Sequence, residues 1–402
     1  MQHSERSLPL EGVRVLDLSR VLAGPMCAQA LGDLGAEVIK IEHPRRGDDT
    51  RDWGLRDASG NTAYFNCANR NKQSVGIDLQ TAEGQAIARA LAAKSDVLIQ
   101  NFKYGGLAKM GLDYEQLREI NPRLVHCSIT GYRTDGPEAT RPGYDLVVQG
   151  EAGLMALNGA AEHGPLKFGI AAVDLVTGML SAQAILAALY ERHRTGHGRK
   201  LELALYDTGV MITSYYGTEA LVLGGEPPKC GNEHPSIVPY GVFDTKDGPI
   251  VLTVGNNAQF QRFCSEVIAR ADLAEDARFA TNGLRSKNRG ELLPELKAEL
   301  ARRPRKLVLE LLAKSGIPCG EVLGLHEALT SARCTESGLV VQSPNGDETC
   351  DKVLAPPYRI DGERVPVRRA PPLLANDTLA VLQEVLGLAP EEINRLKERG
   401  VL

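Results

Sequence analysis

Apolar, strand-like runs alternate with helical stretches through the first half of the chain, and this alternation constrains the fold more than any other feature. Residues 13–18, 37–41, 97–100 and 124–129 read as strands, and residues 25–34, 80–94 and 114–120 between them read as helices. A β-α-β-α rhythm buries both faces of a parallel sheet under helices, which predicts an α/β class with a doubly wound, Rossmann-like large domain. Ligands of such a sheet gather at the carboxyl ends of its strands.

The rhythm breaks near residue 200. Residues 200–206 read as one more strand, followed by a long helical segment and a Pro/Gly/Asn-rich loop, 224–236. Residues 240–243 and 250–254 read as a hairpin closed by 244–248, with helices from 259 to about 314. The expected organisation is a large domain over 1–200 completed by 372–402, a linker over 201–228, a smaller α+β domain over 229–321 and a second linker over 322–371.

A net charge of −5 over 402 residues argues against a nucleic-acid partner. No apolar run reads as long enough to span a bilayer, and the polar start lacks a signal-peptide core, so no membrane role and a cytoplasmic location are expected. The eight cysteines are scattered without a Cys-x-x-Cys pair and read as reduced thiols, and the eight histidines show no metal spacing. The loop after the first strand, SRVLAGP, is not G-x-G-x-x-G, and neither a Walker A loop nor a G-x-S-x-G elbow occurs. If this chain carries chemistry, it is expected to use carboxylates and backbone donors.

One carboxylate stands out. Asp174 lies among small and apolar residues in GIAAVDLVTGML, just before a helix read over 181–193. It can serve as the N-cap of that helix. It can equally serve as a nucleophile in a dry site. The local pattern alone leaves both readings open.

Ten stretches in order resemble the family III CoA transferases, the CaiB/BaiF-like group. They are LEGVRVLDLS (10–19), VLAGP (21–25), LGAEVIKIE (34–42), NRNK (69–72), QNF (100–102), KMGL (109–112), NPRL (121–124), TGY (130–132), TGHG (195–198) and PPLL (371–374). The resemblance spans nearly the whole chain. It implies that Asp174 is the nucleophile, forming a mixed anhydride and then an aspartyl-CoA thioester. It implies that Val21, Leu22 and Ala23 lie along CoA, with Asn101, Phe102 and Lys109 as a second contact set and His43 with Arg45 or Arg46 near the phosphates. Gln80 stands where a relative has a basic residue, which puts that contact in doubt. Coenzyme A is implied as a thioester substrate, with no tightly bound cofactor. The family's folded unit is an interlocked homodimer of ring-shaped subunits.

The same fold hosts α-methylacyl-CoA racemases, which carry Gly-His-Asp where this chain has Gly143-Tyr144-Asp145. Tyrosine, with an ordinary pKa near 10, is a poor proton-exchange partner at neutral pH, so the Tyr144 position argues for transfer over racemisation. Tyr144 is expected to shape the acyl site. Asp145 falls where transferases of this group carry an acidic residue near the thioester, and it reads equally as a structural carboxylate. The glycine run of formyl-CoA:oxalate transferases is absent at 231–240. GDDTRDWG (47–54), Asn71-Lys72, SIVPY (236–240) and GNN (255–257) most resemble succinyl-CoA:glutarate-type transferases, which implies a dicarboxylate acceptor. Arg51, Arg70, Lys72 and His234 are the candidate partners for its distal carboxylate. A racemase-like enzyme and a non-catalytic acyl-CoA-binding protein are the rival readings.

Overall fold

Six strands form one parallel sheet in the order β3-β2-β1-β4-β5-β6. They are β1 (Arg14–Asp17), β2 (Glu37–Glu42), β3 (Lys72–Gly76), β4 (Val97–Gln100), β5 (Val125–Thr130) and β6 (Lys200–Ala204). Every neighbouring pair is parallel. The order runs outward in both directions from β1 and β4, which makes the crevice between their carboxyl ends a topological switch point. The computed structural model describes residues 7–344 and 352–402; His3, Cys350 and part of the 322–371 segment lie outside them.

The chain divides into two compact units. The first comprises Met1–Gly153, Phe168–Ser214 and Ala332–Leu402 and holds the six-stranded sheet. Its helices used below are α1 (Ala23–Asp33), α2 (Ala63–Cys67), α3 (Ala82–Ala93), α4 (Tyr114–Ile120), α5 (Asp145–Glu151), α6 (Ala172–Thr195) and α7 (Leu205–Met211). Side chains alternate across the sheet. Leu16, Leu18, Ile39, Ile41, Val75 and Ile77 pack on one face with residues of α3, α4 and the C-terminal helices Thr378–Leu386 and Pro390–Glu398. The opposite face lies against α1 and α6.

That opposite face carries Val15 and Val38, but toward the strand ends it is polar. Asp17, Lys40, Glu42 and Lys72 point into it and are buried, together with Asp48 and Arg51. Lys72 pairs with Asp17 at 2.9 Å, Lys40 with Asp48 at 2.9 Å and Arg51 with Glu42 at 2.7 Å. This layer explains why β3 is missing from the strands read in the sequence. Its residues KQSVG look polar, but Lys72 and Ser74 face the ionic layer while Val75 faces the apolar one.

Helix α6 is long and apolar enough, by length and composition, to cross a membrane, against the expectation that no such run exists. Half of its most apolar window is buried, and it packs on α1, β5 and α7. A core helix with a wide apolar stripe passes the same test of composition.

The second unit comprises Leu154–Lys167 and Tyr215–Ser331, broader than the 229–321 segment read from the sequence. The Lys229 ammonium donates to the carbonyls of His163 and Gly164, and Ala160 bridges to Cys230, so the 154–167 segment is tied to this unit. Strands Tyr240–Thr245 and Gly248–Thr253 form an antiparallel hairpin, and a third strand, Cys319–Glu321, pairs antiparallel with the second of them. The core of this unit gathers Phe243, Ile250, Phe260, Phe263, Leu296 and Leu312.

The α1–α6 contact positions the candidate nucleophile and depends on one glycine. A Cβ on Gly178 would stand 2.6 Å from the Ala23 carbonyl oxygen and 3.0 Å from Met26 Cβ. Alanine gains about 1 kcal/mol in helix propensity, but overpacking against backbone costs about 1–3 kcal/mol. Gly178→Ala is therefore expected to lower stability by up to about 2 kcal/mol, read as a lowered denaturant midpoint; a raised midpoint would contradict the close approach.

Candidate active site

The β1–α1 connection supplies one wall of a cleft at the switch point. Arg20 and Asn101, which follow β1 and β4, are joined by two reciprocal hydrogen bonds: the Arg20 N–H donates to Asn101 Oδ1 at 2.9 Å, and Asn101 Nδ2 donates to the Arg20 carbonyl at 2.7 Å. Val21 then adopts φ = 71°, a left-handed conformation that a β-branched residue rarely takes. Its N–H is held by the Asp48 carboxylate, at 3.2 Å to Oδ1. Lys40 in turn holds Asp48 and donates to the Ser19 carbonyl at 2.7 Å. The buried ionic layer thus fixes the strained loop. Helix α1 starts at Ala23 without a side-chain cap, so its first turn opens into the cleft.

Asp174 lines the same cleft from the first turn of α6. It is 8% exposed. Burial, and then the neighbouring Asp145 carboxylate, push its carboxyl up to about 7. It is not the helix cap. Ala171 holds the N-cap position and provides no side-chain cap, and Asp145 fills that role from α5. Asp145 Oδ1 accepts the N–H of Val173 at 2.8 Å and of Asp174 at 3.2 Å. Asp145 is itself placed by a close crossing of two loops, since a Cβ on Gly143 would stand 2.5 Å from Gly131 Cα.

The structure brings together Val21, Leu22, Ala23, Asn101, Phe102, Tyr144 and Asp174 in this cleft. His43 lines an adjoining recess with Arg46 and Gln80, and Phe102 and Arg20 contribute to both. Arg45 and Lys109 are exposed and line neither. Arg51 is not brought to the cleft. Its guanidinium holds both Glu42 oxygens, donates to Asn61 Oδ1 and the Pro372 carbonyl, and stacks 3.6 Å from the Phe65 ring centroid. Arg70 is likewise engaged with Asp33, and Lys72 with Asp17, Asn69 and the Pro25 carbonyl. His234 belongs to the second unit, where its Nδ1 accepts the N–H groups of Ser236 and Ile237 and its ring lies near Tyr215 and Tyr240.

Four residues escape the sequence reading. Arg20, Lys103 and Arg141 are cations of the cleft itself, Arg141 paired with Glu138 and Glu151. Tyr64 on α2 lies within electrostatic reach of Asp174: burial, then the Asp174 and Cys67 charges and that of Asp145, raise its phenol to about 12, so it stays a neutral O–H. Arg20 and Lys103 carry a signal, since they sit in the loops after the first strand and after QNF.

Comparisons with known proteins place the chain in a family. A family model described as CoA-transferase family III matches residues 10–378. The chain is 39% identical to the succinyl-CoA:glutarate CoA-transferase of Mus musculus, over 98% of this chain and 90% of that protein. It is also 39% identical to the succinate–glutarate CoA-transferase of Agrobacterium fabrum, over 94% and 96%. A crystal structure of a CaiB/BaiF family protein from Brucella suis superposes with a TM-score of 0.84 at 39% identity, covering 94% of this chain and all of that one (100%). With the switch-point cleft and near-complete coverage in both sequence and fold, the chain belongs to CoA-transferase family III and is an enzyme that transfers CoA.

Proposed function

We propose that this enzyme moves CoA from succinyl-CoA to a dicarboxylate such as glutarate, with Asp174 as the nucleophile. The observation that carries the reading is a buried carboxylate facing the switch-point cleft beside an uncapped helix N-terminus. The relatives act on succinate and glutarate by name.

An Asp174 oxygen attacks the succinyl thioester carbonyl, the C–S bond breaks, and a mixed anhydride and CoA thiolate result. The thiolate attacks the Asp174 carbonyl carbon, releasing succinate and leaving an aspartyl-CoA thioester. The acceptor carboxylate attacks that thioester and expels CoA thiolate. The thiolate attacks the acceptor's carbonyl carbon, giving the new acyl-CoA and free Asp174. A thioester is consumed and a thioester is made, so the exchange divides into near-isoenergetic steps. The Ala23 and Gly24 N–H groups in the first turn of α1 are suited to receive developing oxyanion charge. Val21 to Ala23, Asn101 and Phe102 would flank the pantetheine arm. Arg20, Lys103, His43 and Arg46 supply positive or hydrogen-bonding groups for phosphates. The chain is proposed to work as a homodimer. Helix Ser214–Leu223 supports this, with Leu221 86% and Val222 81% exposed on a single chain.

Three outcomes are expected. Purified protein given succinyl-CoA and a panel of glutarate, malate, citramalate, mesaconate, itaconate, oxalate and carnitine should make chiefly glutaryl-CoA by mass spectrometry, and Asp174→Asn should make none. Transfer that persists in that variant would rule out the nucleophile. The nucleophile must be ionised, so kcat/KM of the wild type should fall on the acid side with a midpoint near the Asp174 value of about 7. A rate flat from about pH 5 to about pH 8 would contradict this. Light scattering should return twice the mass of one chain, and a monomer mass would remove the dimer.

A further inference from the structure

The geometry points to Gln149 as the residue that positions the nucleophile, by holding the Asp145 cap and the approach to α6 in one hydrogen-bonded relay. This rests on the reading of Asp174 as nucleophile. Gln149 lies on α5, is 1% exposed and does not line the cleft. Its Nε2 donates to Asp145 Oδ2 at 2.5 Å, one helical turn away. The same Nε2 approaches the Ile170 carbonyl at 3.4 Å. Its Oε1 accepts the Phe168 N–H at 2.9 Å. The Asp145 oxygen left over, Oδ1, accepts the Val173 and Asp174 N–H groups.

The amide is suited to this task because it carries an acceptor and a donor on one planar group. One end must accept, because Phe168 offers only an N–H. The other end must donate, because Asp145 and Ile170 offer only oxygens. A reversed amide would set oxygen against oxygen. Gln149 therefore fixes the Asp145 carboxylate by its far oxygen and the incoming chain at 168–170, and both converge on the first turn of α6. Because α6 has no side-chain cap of its own, the position of Asp174 depends on a cap supplied from another helix. A misplacement of about 1 Å at a reacting group can cost on the order of 100-fold in rate.

Two substitutions test this. Gln149→Met keeps the volume and removes the amide's hydrogen bonds. Its kcat should fall about 10- to 100-fold, while KM for succinyl-CoA stays within about 3-fold, since Gln149 touches no part of the cleft. Gln149→Glu sets a second carboxylate against Asp145. The pair should share one proton, the protonated Glu mimicking the amide, so activity should survive near neutral pH and a new alkaline limb should appear as that proton leaves. The positioning role is read from the fall in kcat at unchanged KM in Gln149→Met together with activity retained near neutral pH in Gln149→Glu. A kcat for Gln149→Met within about 2-fold of wild type, or a Gln149→Glu profile identical to wild type, would overturn the proposal; the Glu variant keeps it testable should the Met variant fail to fold. Peptide mass spectrometry for CoA mass on Asp174 separates the two readings. A wild type that never carries the adduct removes the nucleophile and this proposal with it. An adduct in the wild type, with both variants kinetically unchanged, removes only the role of Gln149.

Discussion

The buried ionic layer beneath the β1–α1 connection is the constraint on which the cleft depends. Three cations, Lys40, Arg51 and Lys72, face three anions, Asp17, Glu42 and Asp48, with every one of them buried. Buried ion pairs are weak arguments for stability, because desolvation offsets much of their attraction. Here each pair also grips backbone. Lys72 holds the Pro25 carbonyl in α1, Lys40 holds the Ser19 carbonyl, Asp48 holds the Val21 N–H and Arg51 holds the Pro372 carbonyl. An apolar layer of equal volume could fill the space but could not bond to those groups. What the charges supply is a loop held open in a left-handed conformation at the mouth of the site.

That layer also marks the limit of what can be read from the sequence. The strand–helix alternation and the cleft at the strand ends are legible, because apolar periodicity is a local property. Strand β3 is not, since a strand facing buried charges has no apolar alternation. Arg51, Arg70 and Lys72 look in the sequence like free cations for a substrate carboxylate. Their partners Glu42, Asp33 and Asp17 are 9, 37 and 55 residues away, and no local pattern reveals such pairing. His234 stands out by its place in a loop, and its Nδ1 is committed to local backbone. Gln149 offers no signal at all, because its meaning lies in three partners that meet only in the folded chain.

Asp174 shows the same division between local and tertiary information. A carboxylate ahead of a helix suggests a cap, and the structure gives the cap to Asp145 instead. The exchange has an energetic consequence. A cap forms hydrogen bonds that favour its charge, whereas Asp174 is buried with a like charge nearby, and its carboxyl rises from 3.8 to about 7. A raised folded-state value means that the folded state binds the proton more tightly, so stability declines as pH climbs above the unfolded value near 4 and the loss is complete above about 7. The full loss is on the order of 4 kcal/mol. The helix N-terminus returns up to about 2 kcal/mol to a carboxylate nearby, but Asp145 already occupies its Val173 and Asp174 amides. In the proposed reaction, the poor solvation of Asp174 keeps its anion reactive toward a thioester, and ionisation near neutral pH leaves a usable fraction charged. The cap on Asp145 and the charge on Asp174 are therefore one arrangement: the first fixes the helix so that the second need not.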